Sequence, residues 1–213
     1  MLVEVVARVA SDSVDDLRSI KKCCKDFLDA SEDKHVWQQV SLDKFSLVQW
    51  LPNHKALSFL QRCKESGNTE ILYREALREF FSYPNGNISA LKMVAKEDHM
   101  EAKYVYGMIL LCSHDDNLRK EGLEYMRFLR KSKCIIKCRN NVKKFANDLV
   151  WKGKEMLVHN EIPLCGCKNT CKGWRLKKGV WLFLDDDEDD ISLCENCRWD
   201  HEVNFFYRLF NVC

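Results

Sequence analysis

The chain has 213 residues, 46% of them hydrophobic, and its 34 Lys and Arg against 32 Asp and Glu leave a formal net charge of +2. This near balance excludes a general electrostatic attraction to nucleic acids or to an anionic membrane surface. Three prolines and eight glycines favour a mainly α-helical protein without long flexible linkers, with one sizeable core or two or three small ones.

The first 45 residues are predicted to form a unit of three short amphipathic helices. Apolar residues recur at helical spacing from Leu2 to Val9 and from Val14 to Ile20, and they return at Phe27. A unit of about 40 residues rarely closes a core of its own. We therefore expect the rest of the chain or another protein to cover its apolar faces. The alternative is that these are the first helices of an ordinary helical domain.

These residues resemble the F-box, a helical module that docks onto the Skp-type adaptor of cullin-based ubiquitin ligases. The resemblance rests on the helix with the sequence LVEVVARV, on residues 14–17, on residues 24–27 and on Trp37. An F-box usually has a Leu-Pro pair upstream of this helix, whereas Met1 falls within the motif here. We expect either a misassigned start or a helix without its N-terminal anchor.

The resemblance implies that the unit 1–45 has a surface for the adaptor. We name five apolar residues that contact the adaptor or order the helices that do, namely Leu2, Val5, Val9, Leu17 and Phe27.

Residues 55–131 are predicted to form helical-hairpin repeats. Gly67 is suited to a left-handed helix end and Asn68 to a helix N-cap. A self-match at a spacing of 31 residues aligns Tyr73 with Tyr104, and a two-helix repeat of about this length is typical of a solenoid. The predicted helices span residues 55–65, 69–81, 88–96, 100–112 and 118–130.

The second copy of this self-match resembles the Sel-like repeats, which are relatives of the tetratricopeptide repeats. Small residues at Ala95, Ala102 and Gly107 would let the two helices of a hairpin approach closely, and Asp98 stands where that family most often has glycine. The alternative is a helical bundle with a chance self-match.

A longer helix is predicted over 134–151, with an apolar stripe that includes Ile135, Cys138, Val142 and Phe145. We expect the region 132–152 to cap the repeat array, because an open solenoid end must be covered. Its basic residues are expected to form a solvated surface; they are Lys133, Lys137, Arg139, Lys143 and Lys144.

Residues 160–213 are predicted to form a small cysteine-rich module with one structural zinc. A Cys-x-Cys-x-x-x-Cys group is followed, after 22 residues, by a Cys-x-x-Cys pair and a histidine. Zinc takes four ligands in a tetrahedron, and a short Cys-x-x-Cys loop brings two thiolates to one ion. The alternative is a set of reduced cysteines without metal. Our ligand set is Cys167, Cys171, Cys194 and Cys197, with Cys165 and His201 as substitutes.

Residues 180–184 within this module are predicted to form a strand, and the acidic run 185–190 a solvated loop. The sequence CENCRWDHE at 194–202 resembles the C-terminal end of a group of plant F-box proteins that also combine an F-box with Sel-like helices. The resemblance therefore extends over most of the chain.

The sequence has no glycine-rich phosphate loop and no Gly-x-Ser-x-Gly motif, and we predict a non-catalytic adaptor. The resemblance implies a substrate-recognition subunit of an SCF-type ubiquitin ligase that links the Skp-type adaptor to a target protein, whose identity the sequence does not reveal. The alternatives are a helical-repeat scaffold with a decayed F-box and, less favoured, a zinc-dependent nucleic-acid binder.

No stretch reaches the roughly 20 apolar residues of a transmembrane helix, so we expect no membrane contact and an intracellular location, in the cytoplasm, the nucleus or both. In such a reducing compartment, the twelve cysteines would bind metal or be buried instead of forming disulfides.

Overall fold

The computed structural model describes residues 1–46, 53–82, 86–148, 160, 162–166 and 194–210. These residues form eleven helices and no strand, which confirms the prediction of a mainly α-helical chain. None of these helices is both long and apolar enough to span a bilayer. The strand predicted at 180–184 and the acidic run 185–190 lie outside the described residues. The chain divides into two compact units, Met1–His99 and Met100–Cys213.

Unit 1 begins with four short helices, one more than the sequence predicts for this region. Ser13 separates the first two, because its extended backbone ends one helix and its hydroxyl caps the next by accepting the Asp16 N–H. Asp33 caps α4 in the same way and accepts the His35 N–H at 2.8 Å. The helices are α1 (Leu2–Asp12), α2 (Val14–Ile20), α3 (Lys25–Ser31) and α4 (Lys34–Gln39).

Helices α5 (His54–Ser66), α6 (Thr69–Ser82) and α7 (Ile88–Lys96) complete unit 1 and begin and end within one residue of the predicted positions. Gly67 ends α5 with φ of 83°, and the Asn68 side chain caps α6 by accepting the N–H groups of Glu70 and Ile71. Both roles follow the prediction. Asp98, where Sel-like repeats most often have glycine, also has a positive φ of 63°.

The first four helices share one apolar core with α5 and α6. Val6, Leu17 and Trp37 are buried together with Cys63 of α5 and Ile71 of α6. Two buried polar side chains of α6 and its cap fix the segment 37–45 to this core. Asn68 donates to the carbonyls of Trp37 and Val40, and Arg74 donates to those of Leu42 and Phe45.

A carboxylate on α6 joins Arg74 to the end of unit 1. Glu70 accepts from Arg74 Nε at 2.6 Å, and its second oxygen lies 2.9 Å from His99 Nε2. Burial alone would raise the pKa of Glu70, but the hydrogen bonds and charges of His99 and Arg74 outweigh burial and lower this pKa. The carboxylate therefore stabilises the folded unit in its ionised form.

Acid should weaken unit 1 through this carboxylate. Because the folded-state pKa of Glu70 lies below its ordinary value of 4.5, its contribution is present above that pH and is lost as the pH falls through the folded pKa. We expect the free energy of unfolding of Glu70→Gln to change less than that of the wild type between about pH 5 and pH 3. The exposed Glu79→Gln variant on the same helix should keep the wild-type pH dependence, as measured by urea denaturation.

Unit 2 is built around α8 (Met100–Cys112), a helix with ten of its thirteen residues buried, as expected for a helix surrounded by others. It packs against three other helices of the unit. These are α9 (Asp116–Lys131), α10 (Ile135–Asp148) and α11 (Glu195–Phe210). The predicted stripe of α10 is buried at Ile135, Cys138, Val142 and Phe145.

Two glycines set the distance between α8 and α9. A Cβ atom at Gly122 would lie 2.9 Å from the Gly107 carbonyl oxygen, and one at Gly107 would lie 3.1 Å from Tyr125 Cβ. The prediction that Gly107 permits a close helix approach is confirmed. Its counterpart Gly122 was not predicted.

Adding one methyl group at Gly122 should destabilise unit 2. The obstacle is a backbone carbonyl, which cannot rotate away, so we expect Gly122→Ala to lower the free energy of unfolding by about 1–3 kcal/mol, despite the better helix propensity of alanine. Gly166→Ala is the matched control, because nothing lies within 4 Å of its added Cβ. Chemical denaturation followed by circular dichroism measures both, and equal stability of the two variants would contradict the close approach.

Candidate functional site

Helix α1 has two adjacent apolar stripes, and the described part of unit 1 covers one of them. A rotation of about 100° per residue places Leu2, Val5 and Val9 on one stripe; we call these three residues the α1 ridge. Leu2 is 38% exposed, Val5 is 51% exposed and Val9 is half-buried. The covered stripe contains Val6, Ala7 and Ala10, all at most 2% exposed.

The five residues predicted to serve the adaptor surface therefore fall into two groups. Three of them form the α1 ridge. Leu17 on α2 is 1% exposed and belongs to the core, and Phe27 on α3 is partly buried against that core. Leu17 and Phe27 thus pack within the unit, while Leu2 and Val5 of the ridge are exposed.

A cluster of charges and rings holds α4 in this unit. The Trp37 ring is covered by Arg62 at 4.1 Å and by Lys21 at 4.7 Å from its centroid, and Glu32 forms ion pairs with both cations. Burial would raise the pKa of Glu32, but the hydrogen bonds from Lys21 and Arg62 lower it. Trp37 also contacts Phe59 of α5, with ring centroids 5.3 Å apart. The position of α4, against which α1 packs, is thereby fixed.

Three thiols from two chain segments meet in unit 2. The sulfur atoms of Cys165, Cys194 and Cys197 all lie within 4.8 Å of one another. Cys165 Sγ is 3.5 Å from Cys194 Sγ, and the Cys197 N–H points at Cys194 Sγ at 3.4 Å. Cys165 and Cys197 are 2% and 4% exposed. We call these residues the cysteine cluster.

The geometry of the cysteine cluster fits a metal ion. In a tetrahedral site with Zn–S bonds of about 2.3 Å, sulfur atoms are roughly 3.8 Å apart, close to the observed spacing. Cys194 directly precedes α11 and Cys197 lies in its first turn, where the positive end of the helix dipole favours thiolates. The three cysteines can therefore bind a metal, and soft thiolate ligands favour zinc, copper(I) or iron–sulfur chemistry.

Hydrogen bonds to α11 position the segment with Cys165. The Asp200 carboxylate accepts the N–H groups of Leu164 at 2.7 Å and of Cys165 at 3.0 Å. Asn196 Nδ2 donates to the Leu164 carbonyl at 3.2 Å. Burial raises the pKa of Asp200, while the two backbone N–H bonds oppose this rise. At the start of the same segment, Arg119 Nη2 donates to the Ile162 carbonyl at 2.7 Å.

Helix α11 is held in unit 2 by a buried ion pair. Glu202 accepts from Arg139 Nε at 3.0 Å and from Nη2 through its other oxygen, and the Tyr104 hydroxyl donates to the same carboxylate. Burial, followed by the Glu202 charge, raises the pKa of Tyr104. The prediction that Arg139 lies on a solvated surface is wrong: it is 9% exposed, because its partner approaches from 63 residues away in the sequence.

The predicted metal ligands have different outcomes. Cys194 and Cys197 lie in the cysteine cluster, and the third member is Cys165, which was given as a substitute. The predicted ligands Cys167 and Cys171 lie outside the described residues. His201, the other substitute, is half-buried on α11 and is not a member of the cluster. Asp200 was missed, although its position three residues after Cys197 puts both on one helix face.

Comparison with known proteins supports the resemblance. Residues 42–147 match the family described as plant tetratrico peptide repeats. An Arabidopsis thaliana protein provisionally named F-box protein At1g67623 is 25% identical over 210 residues, which cover 92% of this chain and 70% of that protein. This chain is homologous to that Arabidopsis thaliana protein. The alignment is long enough to include residues of both units.

A second homologue is F-box protein At2g35280 of Arabidopsis thaliana. It is 24% identical over 135 residues, which cover 62% of this chain and 80% of that protein. No solved structure matches the chain. The resemblance to plant F-box proteins with tetratricopeptide-like repeats is confirmed by these matches.

Proposed function

We propose that this F-box homologue is the substrate-recognition subunit of an SCF-type ubiquitin ligase. The observation that carries the proposal is the α1 ridge, a line of apolar side chains that the described part of unit 1 leaves exposed at Leu2 and Val5 and half-buried at Val9, in a chain with F-box homologues. Contiguous exposed apolar surface is typical of interaction sites, and the ridge is a candidate for the centre of such a surface. The ridge would contact a Skp-type adaptor, and the repeat helices would capture a target protein.

The ridge alone is too small to form a stable interface. A stable complex buries about 800 Å² on each partner, which is more than three side chains supply. Met1 and Leu28 are also exposed on the first helices, with Leu28 44% exposed, and are candidates for the remaining contact area. In this arrangement the chain contributes no catalytic group and accelerates ubiquitin transfer by bringing target and ligase together.

The cysteine cluster is proposed to bind one structural zinc ion. Cys165, Cys194 and Cys197 would supply three ligands, and Cys167 or Cys171 is the candidate for the fourth. The ion would join the segment 162–166 to the start of α11, which in turn contributes Trp199, Phe206 and Phe210 to the core of unit 2. Bound zinc would therefore stabilise the folded unit directly.

A charge on the ridge should abolish binding to the adaptor without unfolding the chain. We expect Val5→Lys to weaken co-purification with a Skp-type adaptor by at least about tenfold, because an ammonium group would have to be buried against apolar surface. Its helix content by circular dichroism should equal that of the wild type, since Val5 is 51% exposed.

Two further variants separate contact from folding. Met93→Lys is the matched control, because Met93 is 66% exposed on α7 of the same unit and should bind the adaptor normally. Leu17→Lys places a charge in the core and should unfold unit 1. If the wild type fails to bind the adaptor, or if Val5→Lys binds as well as Met93→Lys, the assignment is wrong and a helical-repeat scaffold becomes the better description.

Metal analysis tests the zinc site separately. We expect about one zinc per purified chain, and removal by a chelator should lower the thermal unfolding midpoint and be reversed by added zinc. Cys194→Ser should lose the metal, whereas Cys23→Ser, another exposed cysteine, should keep it. A wild-type chain with no bound zinc and no response to the chelator would contradict this site.

A further inference from the structure

The cysteine cluster raises the question of what brings Cys165 to the other two ligands. Cys194 and Cys197 are neighbours through the geometry of one helix start, whereas Cys165 is 29 residues away from Cys194 in the sequence. Its backbone must be fixed by contacts other than chain connectivity. In the described residues those contacts converge on the backbone of Leu164 and Cys165.

Two side chains of α11 bind the backbone of these two residues from two sides. On one side, the Asp200 carboxylate accepts two successive N–H groups, from Leu164 and Cys165. On the other side, the Asn196 amide donates to the Leu164 carbonyl. Asn196, Cys197 and Asp200 are spaced at one and three residues, so ligand and clamp project from the same turn and a half of helix.

We propose that Asp200 is a positioning residue for metal binding, which holds the Cys165 thiol against Cys194 and Cys197. This inference rests on the metal site proposed above and assigns a role to a residue that does not touch the ion. A carboxylate with two N–H bonds to adjacent residues restricts both the position and the orientation of that backbone. The thiol is therefore in place before the metal arrives, and less ordering accompanies binding.

The partial burial of Asp200 supports this role. A carboxylate partly removed from water is costly unless its oxygens are hydrogen-bonded, and here each oxygen has one backbone N–H of the cysteine-bearing segment. A purely structural contact between α11 and the segment could be made by apolar side chains. Charged acceptors for two consecutive N–H groups instead specify one backbone conformation at Cys165.

Cobalt(II) titration of the full chain tests the proposal, because thiolate ligands give cobalt a charge-transfer absorption that reports how many thiols bind. We expect Asp200→Asn to weaken cobalt affinity by about 10–100-fold, the usual effect of removing a residue that orients a ligand, and to lower the charge-transfer intensity per bound ion. Arg127→Gln is the control, because it removes the Arg127–Glu195 ion pair that joins α9 to α11 and leaves the contacts of Leu164 and Cys165 unchanged. This variant should bind cobalt like the wild type.

The outcomes are distinct. Wild-type affinity and spectrum in Asp200→Asn would overturn the positioning role and leave the metal site intact, whereas a wild-type chain that binds no cobalt would overturn both. If Asp200→Asn does not fold, the Asn196→Ala variant tests the proposal instead, because it removes only the single hydrogen bond to the Leu164 carbonyl. We expect this variant to bind cobalt several-fold more weakly. Unchanged cobalt binding would overturn the proposal. Adaptor co-purification should be unchanged in these variants, so the ligase assignment stands or falls independently.

Discussion

The burial of one stripe of α1 against α4 is the constraint on which unit 1 depends. Val6, Ala7 and Ala10 close the core of the first four helices, and the charged cluster around Trp37 holds α4 in position. Because this stripe faces inward, the adjacent stripe faces outward. The α1 ridge is therefore a consequence of the packing, and its exposure links the fold of the unit to the proposed docking of an adaptor.

Unit 2 combines an apolar core with polar groups that orient its last helix. Close packing at Gly107 and Gly122 brings α8 and α9 together, and the Arg139–Glu202 pair places α11 on α8 and α10. Removing one partner of such a buried pair costs about 3–5 kcal/mol, because a charge is left unpaired. The same helix supplies two thiols of the cysteine cluster, so the core of unit 2 and the candidate metal site share one element.

Local signals in the sequence predicted the helices of the repeat region within a few residues. Gly67 and Asn68 mark a helix end and a helix start by their own backbone chemistry, and the spacing of apolar residues identifies α10. The spacing of apolar residues is less informative in α6, where Leu72 and Phe80 are half-buried but Leu77 and Phe81 are fully buried. A stripe read from spacing alone cannot show which neighbouring helix approaches, so its centre can be displaced by one residue.

The sequence by itself determined what depends on near neighbours along the chain: the helical class, most helix ends, the Cys-x-x-Cys pair and the apolar excess of the first helix. Only the tertiary structure decided which apolar stripe of α1 is covered, that Arg139 is buried beside Glu202, and that Cys165, whose N–H is bound by Asp200, meets Cys194 and Cys197. These features join residues 29 to 63 positions apart or depend on how helices are placed in three dimensions. Residue spacing suggested that the two cysteine groups meet, but it did not fix which residues approach, because that depends on how segments distant in the sequence pack.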